Sequence, residues 1–118
     1  MLIVDDHRLF AEALATILEI DDRFEIVGQA HNGEQAVELA AAEKPDVVVM
    51  DLQMPKLDGV DATKQIKKNR RSTRVVMLTG SSSSTDVARA REAGAAGYVT
   101  KDRIASELID SILQAAEK

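Results

Sequence analysis

The sequence predicts an α/β domain: a doubly wound parallel sheet with helices on both faces. Three observations predict it. Strand-like and helix-like periodicity alternate along the whole chain. Several short apolar runs are continuous rather than alternating, as in parallel strands covered on both faces. Each run stops abruptly at a polar residue, and the strict alternation calls for right-handed crossovers.

Leu2, Ile3 and Val4 form the first strand, which ends at Asp5 and Asp6. It is short against a usual length of ~5–6, so a few residues are expected to precede it in a longer chain. Phe10, Ala13, Leu14, Ile17 and Leu18 then recur at helical spacing, one stripe of an amphipathic helix. Residues 24–30 read as a second strand, Asn32-Gly33 as a break, and residues 34–44 as a second helix. Val47, Val48, Val49 and Met50 are a buried strand that stops at Asp51. A loop with Pro55 and Gly59 leads to a polar, basic helix over about residues 60–70. Val75 to Leu78 make a fourth strand ending at Thr79, and the Ser-rich residues 80–84 lead to a helix closing near Gly94, a glycine cap. Residues 97–100 form a fifth strand ending at Lys101, and Ile104, Leu108, Ile112 and Ala115 or Ala116 stripe the last helix.

Composition narrows the function. A chain of 118 residues holds one domain, with 45% hydrophobic residues but only 3% aromatic. A net charge of -5 argues against direct nucleic-acid binding, which needs clustered Lys and Arg. There is no cysteine for disulfides or thiolate metal ligands. No apolar run approaches the ~20 residues of a membrane span, and no signal peptide is visible, so a cytoplasmic domain away from membranes is expected.

The polar strand ends carry the chemistry. Asp5, Asp6, Asp51, Thr79 and Lys101 each sit at the carboxyl end of an expected strand, along one edge of the sheet. Three carboxylates held together repel one another unless a cation joins them. Oxygen ligands on a shallow edge suit Mg²⁺, and Lys101 adds a fixed positive charge. A carboxylate surrounded by cations is built to receive a phosphoryl group, whose charge metal, ammonium and hydroxyl would share. Asp51 would be the nucleophile and become an aspartyl phosphate.

These residues resemble a known family over essentially the whole chain: the receiver domain of two-component response regulators. The resemblance rests on Asp5-Asp6, on residues 50–55 with Asp58-Gly59, on Thr79-Gly80, and on residues 97–101, in this order at the expected strand ends. It implies a flavodoxin-like (CheY-like) five-stranded sheet of order 2-1-3-4-5. It also implies that Asp5, Asp6, Asp51 and the backbone carbonyl of Gln53 hold Mg²⁺. Thr79 and Lys101 would meet phosphoryl oxygens, Tyr98 would be an aromatic switch, and Gln53 and Ser81 would tune the phosphate lifetime. The implied partners are a sensor histidine kinase and a second copy of the chain on phosphorylation. His7 and the Tyr98–Asp102 stretch are similar to a subgroup usually joined to a LuxR-type helix-turn-helix domain. The sequence ends at Lys118 with no such domain in view, so the expectation is either an excised or a stand-alone receiver, the excised one being favoured. Most receivers follow the lysine with a cis proline; Asp102 stands here instead, which puts a cis bond in doubt.

Plainer readings stand beside these. Asp5 and Asp6 could cap the helix that follows, and Asp6 could do so while binding metal. The 81–84 loop lacks the spacing of a phosphate-binding P-loop. Lys64, Lys67, Lys68, Arg70, Arg71 and Arg74 read as a solvated face, and Arg89, Arg91, Tyr98 and Asp110 as a partner surface. His7 and His31 lack metal-ligand partners at useful spacing; neither is assigned a catalytic role, although His7 lies close enough to influence the acidic pocket. The competing function is an Mg²⁺-dependent phosphohydrolase, disfavoured because Gln53 stands where such enzymes place a second Asp. A flavin-binding domain lacks the aromatics, and a degenerate receiver would not keep the whole set of site residues.

Overall fold

The computed structural model describes residues 1–52, 54, 57–80 and 84–117. Five strands, β1 (Leu2–Val4), β2 (Gly28–Ala30), β3 (Val47–Asp51), β4 (Arg74–Thr79) and β5 (Gly97–Thr100), pair in parallel in the order β2-β1-β3-β4-β5. The helices between and after them are α1 (Arg8–Glu19), α2 (Gly33–Glu43), α3 (Gly59–Asn69), α4 (Ser84–Ala93) and α5 (Ile109–Glu117).

The continuous apolar runs are explained by two separate cores. Leu2, Val4, Val48, Met50, Val75 and Met77 point to one face, where they meet Ala36, Ala40, Ala62, Ile66, Ala90 and Ala93 of α2, α3 and α4. Their alternates Ile3, Val47, Val49, Val76 and Leu78 point to the other, against Leu14, Leu18, Ile112 and Ala115 of α1 and α5. Successive strand side chains alternate in direction, so a sheet covered twice needs an apolar residue at every position. The split follows from handedness: β1 steps one way to β2, and the later strands step the other way.

Local chemistry sets the helix ends. Asn32 caps α2 by accepting from Gln35 N at 2.9 Å, so the Asn32-Gly33 break is a cap followed by the first helical residue. Asp58 caps α3 in the same way through Asp61 N. Gly94 ends α4 with φ 102, a conformation that favours glycine.

Four expectations need correction. The second strand spans only Gly28–Ala30, because β1 offers three partners; Phe24 instead closes a turn on Asp21 and packs with Ile26 onto the α1/α5 core. On α1 the buried face is Ala11, Leu14, Ala15 and Leu18, while Ala13 and Ile17 face outward. Small residues at 11 and 15 let the helix lie close on Ile3 and Val49, which turns the larger Ile17 outward. The last helix is preceded by a 3₁₀ turn (Lys101–Arg103) and a π-helical turn (Ile104–Leu108), and Ala115, not Ala116, takes the buried position. Lys67 departs from the solvated basic face. Its Nζ donates to Thr73 O at 2.8 Å, and burial, reinforced by Arg74 and Arg71, lowers its pKa. Among the described residues there is no cis peptide bond and no helix long and apolar enough to cross a membrane.

Gly59 ties the fold to the polar edge. Its N–H donates to Leu52 O at 2.9 Å, and a Cβ there would collide with Asp51 O and come within 2.8 Å of Leu52 Cα, both backbone atoms. Gly59→Ala is therefore expected to destabilise the domain by about 1–3 kcal/mol, the usual cost of overpacking. Urea unfolding checks this, and a variant as stable as the parent would show that the segment yields freely.

Candidate functional site

Strand register brings the site together. Val4 pairs with Met50, so Asp5 leaves β1 beside Asp51, the last residue of β3. Asp51 in turn pairs with Leu78, and Thr79 pairs with Thr100, immediately before Lys101. Four neighbouring strands thus end at nearly one level and place these polar groups along a single edge.

Burial makes the electrostatics severe. Asp5 is 1% exposed and Asp51 4%, so two carboxylates lie almost out of water. Lys101 Nζ reaches both, 3.2 Å from Asp5 Oδ2 and 3.4 Å from Asp51 Oδ2. A buried charge is tolerated only when paired and hydrogen-bonded. The ammonium also lies 4.6 Å from the centre of the Phe10 ring, a cation–π contact that holds it from the α1 side. With Asp6 included, three carboxylates face one ammonium, and negative charge is left over.

Asp6 and His7 complete the rim. Asp6 Oδ1 is buried without a hydrogen-bond partner among the described residues; its neighbour is His7 Nδ1, 3.2 Å away but poorly aligned. The His7 N–H donates to Asp5 Oδ1 at 2.9 Å, and its ring Nδ1 lies 3.3 Å from the same oxygen. Neither aspartate caps α1: His7 occupies the cap position, with no side-chain cap bond. Asp5, Asp6, His7 and Asp51 each offer a ligand atom, all within 4.8 Å of one another. Orphaned oxygen, surplus negative charge and close spacing together fit a divalent cation.

His31 acts behind this rim. Its Nδ1 lies 3.1 Å from Asp5 O, and because a carbonyl only accepts, that nitrogen carries the proton. Thr79 is 2% exposed at the end of β4, and Tyr98 hydrogen-bonds to it. Burial, and secondarily the charge of Asp86, raise the Tyr98 pKa, while the bond to Thr79 opposes the rise. Asp58 pairs with Arg89 at 3.4 Å and ties the start of α3 to α4; Arg91 and Asp110 are exposed. The cavity between α2 and α3, lined by Val37, Ala40, Ile66 and Thr73, lies toward the opposite strand ends and shares no residue with the acidic cluster.

The structure therefore brings Asp5, Asp6, Asp51 and Lys101 into one cluster, with Thr79 on the neighbouring strand end and Tyr98 bonded to it. Gln53 and Ser81 lie outside the described residues. Sequence reasoning missed Phe10 as a lysine partner and His31 as a support of Asp5. It gave His7 no catalytic role for want of partners at useful spacing, while placing it close enough to influence the acidic pocket, where its ring indeed lies.

Comparison with known proteins agrees with this geometry. The family profile for the response regulator receiver domain matches residues 1–113. The chain is 44% identical over 112 residues to the transcriptional regulatory protein PdtaR of Mycobacterium tuberculosis, covering 95% of this chain and 54% of that protein. It is 36% identical over 117 residues to the transcriptional regulatory protein DegU of Brevibacillus brevis, covering 99% of this chain and 50% of the relative. The chain thus spans about half the length of these curated relatives. Among solved structures, the response regulator domain of Thermotoga maritima CheB superposes with a TM-score of 0.92 at 34% identity, covering 99% of this chain and 95% of that one. A LuxR-family two-component response regulator from Aurantimonas sp. SI85-9A1 gives 0.94 at 33%, covering 98% and 83%. With a flavodoxin-like sheet, acidic residues grouped at its edge and a family match over nearly all its length, the chain belongs to the response regulator receiver domains of two-component signalling.

Proposed function

We propose that residues 1–118 form a phosphoacceptor switch that takes a phosphoryl group from a sensor histidine kinase onto Asp51. The observation that carries this reading is Lys101 Nζ held between two nearly dry carboxylates, Asp5 and Asp51. Such a lysine cannot neutralise the cluster, and it stands where an incoming phosphoryl oxygen would need a counter-charge. In the transfer, an oxygen of Asp51 bonds to phosphorus as the bond from phosphorus to the kinase imidazole breaks.

Asp5, Asp6 and Asp51 would hold Mg²⁺, with the Gln53 carbonyl as the further ligand that the family resemblance implies. Bound there, the ion would offset charge on the phosphoryl oxygens. Thr79 would turn its hydroxyl to one of those oxygens, releasing Tyr98 from its present bond and changing the surface around α4, β5 and α5. This is a shift between two conformations, driven by contacts that only the phosphorylated form makes. Gln53 and Ser81 would set how long the phosphate lasts.

In a longer chain the switch would control a DNA-binding output domain and so transcription, by analogy with the regulators it resembles. Phosphorylation would favour a homodimer. The cytoplasm is the proposed compartment, and the net charge of -5 supports a domain that works through protein partners and does not itself grip nucleic acid.

Three measurements test this reading. Intact mass after incubation with acetyl phosphate and Mg²⁺ should show one phosphoryl adduct, lost in Asp51→Asn and without the ion. Steady release of free phosphate with no adduct would favour the phosphohydrolase. In chelator, Asp6→Asn should raise stability by about 1 kcal/mol, because it removes one of the crowded charges. Saturating Mg²⁺ should then stabilise the parent more than the variant, and equal responses would remove Asp6 from the metal site. Finally, Tyr98 is the only tyrosine, so tyrosinate absorbance reports it alone. Its pKa should lie above 10.0 and rise further in Thr79→Ala, which deletes the bond that lowers it. An unchanged titration would mean that the two hydroxyls are not coupled.

A further inference from the structure

The acidic cluster contains one group that the phosphoacceptor reading leaves unused. His7 leaves β1 directly after the two aspartates and is fixed in extended backbone, φ -90 and ψ 100, at the start of α1. Its own N–H, donated to Asp5 Oδ1, turns the residue back over the carboxylates. The ring then presents Nδ1 at 3.3 Å from Asp5 Oδ1 and 3.2 Å from Asp6 Oδ1.

Those spacings are informative. Around an octahedral ion with bonds of about 2.1–2.3 Å, neighbouring ligand atoms lie about 3.0–3.3 Å apart and opposite ones about 4.2–4.6 Å. The His7 distances match neighbouring positions, and the full set of Asp5, Asp6, His7 and Asp51 lies within 4.8 Å. Lys101 takes the Oδ2 atoms of Asp5 and Asp51, while His7 approaches the opposite oxygen of Asp5. Asp6 Oδ1, without a hydrogen-bond partner among the described residues, lies beside the ring and could offer a further ligand atom. The second histidine, His31, is not among the residues that bring a ligand atom to this cluster; its Nδ1 is engaged by Asp5 O.

We propose that His7 is a nitrogen ligand of the divalent-cation site and shifts its preference from Mg²⁺ toward Mn²⁺, Co²⁺ and Ni²⁺. The inference rests on the reading that the acidic cluster holds a divalent ion, and deepens it. Carboxylate and water ligands suit Mg²⁺, whereas imidazole favours later first-row ions, whose affinities rise along the series from Mn²⁺ to Ni²⁺. Because the His7 side chain is 72% exposed, it can swing aside for an ion that does not want nitrogen. Mg²⁺ therefore loses little by its presence, and the other ions gain a bond.

The test is calorimetric titration of the whole chain with the chlorides of Mg²⁺, Mn²⁺ and Ni²⁺ at one pH, beside His7→Ala, His7→Gln and His31→Gln. Pulsed electron paramagnetic resonance of the Mn²⁺ form reads nitrogen coordination directly. Circular dichroism confirms that the variants fold. Expected are an affinity loss of about tenfold or more for Ni²⁺ and a smaller loss for Mn²⁺ in both His7 variants. Mg²⁺ affinity should change by less than about twofold. Nitrogen coupling should be present in the parent and in His31→Gln and absent from His7→Ala. Equal changes for all ions, or a gain in affinity on removing His7, would make the ring a mere occupant that leaves when metal enters, and would overturn the assignment. Asp6→Asn and Asp51→Asn separate the two levels. Ion binding insensitive to both would overturn the metal site and His7 together, whereas binding sensitive to both but with an ion preference unmoved by His7→Ala would overturn His7 alone.

Discussion

Two carboxylates kept nearly dry around one ammonium are the constraint on which the rest of the molecule depends. Asp5 and Asp51 are almost fully buried at adjacent strand ends, and water cannot screen them from each other. Lys101 must therefore arrive from β5, two strands away from β3, with little freedom to miss. The parallel pairing of β3, β4 and β5 delivers it at the right level, and Phe10 holds it from the other side. His31 steadies the Asp5 backbone from β2, and Gly59 lets the chain after β3 return close to Asp51. Each is a packing decision made far apart in sequence, and each serves the same charge problem.

The parts of this arrangement that were legible in the sequence follow from strong one-dimensional rules. Val47 to Met50 carried the mark of a doubly covered strand, and the polar residue closing each run marked its carboxyl end. The parts that were not legible depend on rotation and reach. Ala11 and Ala15 face the sheet because they are small, a reason invisible to a scale that rewards large apolar residues, so Ile17 was placed inside although it is 53% exposed. The length of β2 was set by its partner β1 and not by its own composition. Phe10 and Lys101 are brought together only by folding, so their contact leaves no local signature. His7 was a different kind of miss: its neighbours were known, but the direction of its ring was not.

The two cores and the polar edge have opposite characters. Behind the edge, apolar residues fill both faces of the sheet, and the strand positions have little room to alter. At the edge, an oxygen of Asp6 lacks a hydrogen-bond partner among the described residues, and Tyr98 is bonded to Thr79 through a hydroxyl that the proposed phosphate would also claim. Bistability belongs at such a place. A hydroxyl with two competing acceptors has two low-energy positions, whereas a packed Val or Ile has one.

This contrast also identifies where the energy for switching would come from. The surplus of negative charge makes the unliganded edge less stable than a neutral one of the same shape, because repulsion between carboxylates is poorly screened at this depth. A bound cation would relieve that repulsion, and the proposed phosphoryl group would restore negative charge farther out, where Lys101 and Thr79 could follow it. The proposed conformational change would then need no new core packing. It needs only that the lysine and the hydroxyl make better contacts with the phosphoryl oxygens than with their present partners, and that difference alone sets how far the population can move. A rigid sheet is suited to carry the result, because Thr79 and Tyr98 sit on paired strands and a shift of one hydroxyl at the edge is felt by the ring beside it.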